Sequence, residues 1–294
     1  MKNKKASKIL YWGLISLLIL IIVVCAGLIA MKLITDAQDK KMYTELQGMR
    51  NEVTRPTMDL ENVRPDELFA TDDEPTRPDT GTSTDPSNPV SPTVPPSIDD
   101  TVLFEYQPLY ELNRDMVGWI QIEGTAIDYP VVQSPYEMNF YLRRNFYKED
   151  ATCGTIYVRE ACNVELPSDN VTLYGHNMRN GTMFADLLKY KKQSFWNDHR
   201  YVNFDTLHEY RTYEVFAVFQ TTADLTKGFS YHVYDTFATE KAFNEYVSTC
   251  KNLSMYNTGI TPVFGEKLLT LSTCDKTISD GRLVVVCRMV GRAS

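Results

Sequence analysis

The N-terminal part of the chain carries a long uninterrupted apolar run. Residues 9–31 contain no charged side chain, and a helix of this length crosses the roughly 30 Å hydrocarbon layer of a membrane. A basic flank of this kind stays in the cytoplasm, and it consists of Lys2, Lys4, Lys5 and Lys8. We therefore predict a cytoplasmic tail over residues 1–8, a single transmembrane helix over 9–34, and the rest of the chain outside the cell. A cleaved signal peptide is the alternative, although its apolar stretch usually covers only about 7–15 residues.

The hydrophobic pattern stops after this run. Residues 36–53 are rich in helix formers and predict a short helical stalk that continues the transmembrane helix. Residues 54–100 contain nine prolines among Ser, Thr, Asp and Glu, with almost no aliphatic periodicity. Such a composition buries too little apolar surface to offset chain entropy. The sequence thus predicts a stalk and a proline-rich disordered linker over residues 35–101, which would give the following domain reach.

From residue 102 to 294, short apolar runs alternate with turn residues. The runs predict β-strands at 117–122, 127–132, 155–158, 171–174, 213–220, 267–271 and 283–290. Helical spacing predicts helices at 104–115, 182–189 and 239–253. Many short strands with few helices are typical of a closed barrel or a sandwich. We expect one compact, mainly antiparallel β domain.

Composition narrows the classes of function. The formal net charge is −8, and no Lys/Arg cluster follows the N-terminal flank, which argues against nucleic acid as a partner. The six cysteines are scattered and show no CxxC spacing, so the sequence predicts neither a disulfide scaffold nor a metal site. A phosphate-binding glycine motif is also missing, and we expect no cofactor.

Four histidines are the candidates for an acid/base group near neutral pH. His176 follows the strand-like run 171–174, where a catalytic side chain would leave the sheet. His199 and His208 occupy polar stretches, and His232 follows an aromatic loop. For these three we expect solvated or half-buried rings without a catalytic role.

A nucleophile is suggested by the end of another predicted strand. Cys274 closes KLLTLSTC and is followed by a polar turn, so its thiol should be exposed at the rim of the barrel. Arg282 begins the last strand eight residues later, and a hairpin would place it beside Cys274, where it could stabilise an oxyanion. Cys287 lies inside an apolar run and should be structural. Arg288, farther along the same strand, is a weaker candidate, and either arginine could instead pair with an acidic neighbour.

Three motifs together resemble those of the sortases. They are TLYGHN around His176, TLSTC ending at Cys274 and GRLVVVCR around Arg282. The segment DMVGWIQIEGTAIDYPVVQ, followed by NFYLRRNF, resembles the opening strands of class B sortases, and the helix predicted at 239–253 is similar to their inserted helix. The likeness covers nearly all of residues 102–294, but not the proline-rich segment. Class C sortases resemble the chain less, since they typically carry a C-terminal membrane segment.

The resemblance implies a fold, a reaction and partners. The fold is a closed eight-stranded sortase-type β-barrel with an N-terminal helix and a helix inserted before the catalytic cysteine strand. The reaction is a two-step acyl transfer in which Cys274 forms a thioester after the threonine of a sorting motif, His176 moves protons and Arg282 stabilises the oxyanion. The implied partners are surface proteins that bear the motif and the amine of a lipid II-type peptidoglycan precursor.

The resemblance also suggests residues that line the substrate groove, namely Leu142, Ser272 and Asp275. Leu142 could equally belong to the core, and Asp275 could be a turn residue. Two other functions remain open at this point. A secreted cysteine peptidase would use the same Cys274 and His176 with water as acceptor. A non-catalytic binding domain on a long stalk would hold both residues for structural reasons.

Overall fold

The computed structural model describes residues 2–50, 53, 55, 56, 58, 102–134, 136–224 and 226–293, and side chains from residue 11 onward. The chain divides into two compact units, residues 1–45 and 46–294. Helix α1, Lys2–Met49, contains the span predicted at 9–34 and continues into the predicted stalk. Its segment Tyr11–Met49 includes an 18-residue window with mean hydropathy 3.2. This length and composition fit a membrane anchor and also fit a signal sequence.

Eight strands form the second unit. They are β1 Met116–Gln121, β2 Asp128–Val132, β3 Ile156–Val158, β4 Asn170–Tyr174, β5 Tyr201–Thr206, β6 Tyr210–Thr222, β7 Leu268–Cys274 and β8 Gly281–Ala293. Their order is β1-β2-β3-β4-β7-β8-β6-β5, and β5 pairs with β1 to close the barrel. The predicted eight-stranded barrel is therefore confirmed. The pairs β2–β3 and β4–β7 are parallel, and the remaining pairs are antiparallel.

The barrel brings distant segments of sequence to one rim. Strand β4 runs parallel to β7, although about a hundred residues separate them in the chain, with Asn170 opposite Leu268 and Tyr174 opposite Ser272. Parallel neighbours leave a sheet at the same edge. The residues that follow Tyr174 and those at the end of β7 therefore meet there.

The helices partly match the prediction. Helix α2, Gln107–Leu112, is shorter than the predicted 104–115. The segment predicted as a helix at 182–189 is a 3-10 helix, Phe184–Lys191, followed by α3, Gln193–Asp198. The inserted helix α4, Glu240–Leu253, begins where predicted, because Thr239 caps it by accepting a hydrogen bond from Ala242 N. Its buried face carries Phe243, Tyr246, Val247 and Cys250.

Strand β5 was absent from the sequence prediction. Its sequence YVNFDT places polar residues between apolar ones, and only the pairing partners β1 and β6 identify it as a barrel strand. Asp205 and Thr206 are buried despite their polarity, because the closed barrel covers them. Tertiary pairing rather than local hydrophobicity thus decides this element.

Part of the predicted stalk and linker contacts the barrel. Gln47 Nε2 donates a hydrogen bond to Asp128 O at 2.7 Å. Arg55 donates to the Asp205 carboxylate at 2.6 Å and to Arg211 O at 2.9 Å. These contacts extend the second unit beyond the boundary expected at residue 102. Apart from residues 55, 56 and 58, the linker predicted at 54–100 lies outside the described residues.

Candidate active site

Cys274 and Arg282 face each other across the β7–β8 hairpin. Six residues of β7 are buried, and the seventh, Cys274, is half-buried at the rim. The Cα partner of Cys274 is Arg282, and directly opposed residues project their side chains to the same face of a sheet. The turn requires Gly281, since a Cβ there would lie 2.2 Å from Asp275 O. The side-by-side placement expected from the sequence is present.

His176 reaches the same rim from β4. Tyr174 is paired with Ser272, so a continued register would set His176 beside Cys274. Two hydrogen bonds hold the segments together beyond the strand end. Thr273 Oγ1 donates to Gly175 O at 2.7 Å, and Asn177 Nδ2 donates to Cys274 O at 3.0 Å. The three predicted catalytic residues therefore line one groove.

The resting imidazole is hydrogen-bonded to the backbone of the groove wall. His176 Nε2 lies 2.7 Å from Leu142 O, in the 3-10 helix Phe140–Arg143. A carbonyl oxygen can only accept, so Nε2 carries the hydrogen and donates it. In the neutral ring Nδ1 then holds the free lone pair, and this nitrogen can take up a further proton.

Arg282 keeps donors available at the rim. Its Nη1 donates to Gly281 O at 3.0 Å and to Asp280 O at 3.4 Å, and both acceptors belong to the turn backbone. Within the part of the chain that the structure describes, no carboxylate forms a salt bridge with this guanidinium. The pairing with Asp275 or Asp280 side chains that would give Arg282 a purely structural role is not formed.

The groove has a volume of about 590 Å³ and an aromatic wall. Tyr157 and Tyr174 come from paired positions on β3 and β4, and their ring centroids are 5.4 Å apart. Tyr231 adds a third ring, and its hydroxyl lies 2.6 Å from Ser272 Oγ. An aromatic wall of this kind offers a large apolar contact area to a bound ligand.

The three residues expected to bind substrate differ in position. Leu142 lines the groove and is 37% exposed. Ser272 also borders the groove, although it is buried and bonded to Tyr231. Asp275 is 1% exposed and does not line the groove. A role of Asp275 in substrate binding therefore stays a prediction.

Asp275 instead organises the turn between β7 and β8. Lys191 Nζ lies 2.6 Å from its carboxylate, which also accepts hydrogen bonds from Gln220 and Thr277. Burial by itself raises the pKa of Asp275, but these hydrogen bonds outweigh burial and lower the pKa to about 2. The carboxylate is thus ionised at neutral pH and holds the turn next to Cys274.

Three further residues from the sequence analysis have other surroundings. Cys287 is fully buried, and burial raises the pKa of its thiol well above the usual value. Arg288 forms ion pairs with Glu214 and Glu266. His232 is half-buried, as expected, and it lines the groove.

Other groove residues were not found by sequence reasoning. They are Met138, Asn139, Tyr157, Arg159, Glu160, Thr222, Ala223, Ser230 and Tyr231. Tyr157 donates to Asn139 Oδ1 at 2.9 Å, and Glu160 accepts from Asn139 N, which ties the loop before the 3-10 helix to β3. The sequence carried a signal for two of these residues. Alternate residues of a strand share one face of the sheet, so the apolar run that forms β3 places residues 157 and 159 on the same side.

Comparison with known proteins defines the family. The Sortase domain family matches residues 120–290. Sortase B of Listeria monocytogenes is 35% identical over 197 residues, which cover 66% of this chain and 77% of the relative. Sortase B of Staphylococcus aureus is 30% identical over 188 residues, which cover 63% and 75%.

Solved structures of similar proteins also belong to the sortase B group. A Bacillus anthracis protein described as similar to sortase B has a TM-score of 0.65 at 27% identity, covering 88% of this chain and 98% of its own. A Staphylococcus aureus sortase B-substrate complex has a TM-score of 0.58 at 29% identity, covering 65% and 86%. The chain belongs to the sortase family of cysteine transpeptidases, and the sortase B relatives place it in class B.

Proposed function

We propose that this chain cleaves a C-terminal sorting motif of surface proteins after a threonine and transfers the threonine carbonyl to an amine of a peptidoglycan precursor. In the first step Nδ1 of His176 takes the thiol proton of Cys274, and the resulting thiolate attacks the threonine carbonyl carbon. The C–N bond breaks, the departing amine takes a proton from His176, and a thioester remains on Cys274. Arg282 donates hydrogen bonds to the oxyanion of the tetrahedral intermediate.

The second step regenerates the thiolate. An incoming amine attacks the thioester carbonyl, the C–S bond breaks and an amide forms. His176 accepts the proton that the amine loses. A lipid II-type precursor of the cell wall is the acceptor that the class B membership suggests, and the Staphylococcus aureus substrate complex supports a peptide-like donor.

The N-terminal helix fits this role. We propose that residues 9–34 of α1 anchor the chain in the cell membrane in a single pass, with residues 1–8 in the cytoplasm and the barrel outside the cell. The lysines of the tail support this orientation. Within that organisation, residues 102–294 form the catalytic domain, and the preceding linker connects it to the anchor.

One observation carries the proposal. The register of β4, β7 and β8 brings His176, Cys274 and Arg282 to a single rim, over a groove large enough for an extended peptide. An acid/base, a nucleophile and a fixed cation are the set that acyl transfer through a thioester needs. A non-catalytic binding domain would have no need for this convergence.

The test is a cleavage assay on the full chain in detergent micelles. Fluorogenic peptides with varied sorting motifs are incubated with and without a primary amine, next to the Cys274→Ala variant. We expect Cys274-dependent cleavage after threonine and an amide product when amine is present. Acid product alone, unchanged by amine, would identify a peptidase, and cleavage retained by Cys274→Ala would rule out the thioester.

A further inference from the structure

Arg159 is a groove residue whose side chain is not fully satisfied. Its side chain is 23% exposed, and it forms part of the groove wall. Atom Nη1 is buried, yet it has no hydrogen-bond partner among the residues that the structure describes. The carboxylate of Asp235 lies 3.8 Å from Nη1, which is too long for a hydrogen bond. A buried donor without a partner costs free energy. The guanidinium would gain a partner by turning toward the groove to meet an oxygen of a bound ligand.

The position of Arg159 along the groove follows from the strand register. Arg159 N donates to Thr172 O at 2.9 Å, so Arg159 lies beside Thr172, four residues before His176. At about 3.3 Å per residue this places Arg159 roughly 13 Å from the catalytic rim. An extended peptide covers that distance with about four residues. Arg159 is thus within reach of a substrate residue that precedes the threonine.

The surroundings describe what would bind there. Tyr174 and His232 border the same part of the groove, and the pKa of His232 is lowered by burial and by the charge of Arg159. His232 is therefore neutral at pH 7 and adds an aromatic surface without charge. The carboxylates of Asp235 and Glu160 also lie near Arg159, and they leave little net positive charge in this part of the groove. The chemistry offered is a guanidinium donor in a groove wall that also carries aromatic rings.

We propose that Arg159 is a specificity-determining residue that hydrogen-bonds a side-chain oxygen of a residue upstream of the scissile threonine. Amide and carboxylate side chains share this acceptor chemistry. The inference rests on the proposed function, because it takes the groove to be the site of the acyl donor peptide. Since Tyr157 shares the same face of β3, the peptide passes this ring before it reaches Arg159.

The experiment compares matched peptides and variants. Each of the four positions before threonine is occupied in turn by Leu, by its near-isostere Asn, or by Asp. The full chain in micelles and its Arg159→Met variant are assayed for kcat/KM. Arg200→Met is the matched control, because Arg200 lies over the Trp196 ring and outside the groove. Binding of the same peptides is also measured in the Cys274→Ala chain, with and without Arg159→Met.

At one position we expect the Asn or Asp peptide to exceed the Leu peptide by about 10- to 100-fold, the range for a hydrogen bond to a charged group. Arg159→Met should remove this preference, so that the Leu, Asn and Asp peptides give similar values of kcat/KM, whereas Arg200→Met should keep it. The peptide with the higher kcat/KM, Asn or Asp, identifies the acceptor as an amide or a carboxylate.

An equal loss of kcat/KM for all peptides in Arg159→Met, or an unchanged preference, would overturn the assignment. The binding comparison keeps the two proposals separate, since an Arg159-dependent preference without cleavage would refute only the catalytic function.

Discussion

Cys274 and Arg282 are directly opposed residues of the antiparallel β7–β8 pair. In such a pair the Cα atoms are about 4.5–5.5 Å apart and both side chains project from one face. The thiol and the guanidinium therefore share a position set by backbone hydrogen bonds rather than by flexible side-chain contacts. In the proposed mechanism, a transition state that forms at the sulfur would meet a cation that is already in place, which would lower the cost of reorganisation.

The first prediction separates the two cysteines of this hairpin. Cys274→Ala removes the nucleophile, and turnover should fall to background in the peptide assay. Cys287→Ala removes a buried thiol from β8, and it should lower the free energy of unfolding while kcat stays within about twofold. Urea unfolding, followed by circular dichroism, checks that both variants fold. A comparable loss of turnover in two well-folded variants would be incompatible with Cys274 as the nucleophile.

The second prediction concerns the oxyanion. Arg282→Met removes donors that form no salt bridge with a carboxylate among the described residues, and kcat should fall by about 10²- to 10³-fold, the usual effect of losing one such donor. The free energy of unfolding should change little, because the hydrogen bonds of the guanidinium to other described residues go to Asp280 O and Gly281 O within its own turn. Arg200→Met serves as the control. A large rise in KM at constant kcat would instead assign Arg282 to ground-state binding.

The third prediction tests the support beneath the site. The pKa of Asp275 is lowered to about 2 in the folded chain, against about 3.9 in an unfolded one. Its stabilising effect is therefore present above pH 4 and is lost as the pH falls toward 2. Lys191→Met should cost about 1–2 kcal/mol at pH 7 and clearly less near pH 3. Unfolding by urea at both values measures this difference, with Lys192→Met as an exposed control. A cost that does not depend on pH would contradict the role given to the Lys191–Asp275 pair.

The fourth prediction concerns the segment before the predicted domain. Asp205 is 5% exposed, and burial raises the pKa of its carboxyl while Arg55 opposes the rise. Arg55→Met leaves this carboxylate without its counter-ion and should destabilise residues 46–294 by about 3 kcal/mol at pH 7. The pKa of Asp205 then rises further above its unfolded value, so the cost should shrink as the pH falls toward 4.

The matched control for this pair is Asp205→Asn. In that background Arg55→Met has no buried charge to expose, and it should cost little. We also expect a protein that starts at residue 102 to unfold at lower urea concentration than one that starts at residue 46. Equal stability of those two proteins would show that the Arg55 contact contributes nothing.

Much of the fold was accessible from local pattern. Apolar runs bounded by turn residues located seven of the strands, and the spacing of Phe243, Tyr246, Val247 and Cys250 located helix α4. The three motifs identified His176, Cys274 and Arg282, because a polar residue at the end of an apolar strand is visible in the sequence itself. The antiparallel hairpin that pairs Cys274 with Arg282 could also be predicted, since only six residues separate β7 from β8.

Long-range contacts decided the remainder. The parallel pairing of β4 with β7 joins segments about a hundred residues apart, and no local property of either strand specifies that partner. For the same reason strand β5 and the contact of Arg55 with Asp205 were not predicted. Sequence periodicity reports which face of an element is buried, whereas the identity of the neighbour depends on closure of the whole barrel. The local pattern thus determined the elements and the reactive residues of this chain, and the tertiary structure alone determined which side chains face the groove.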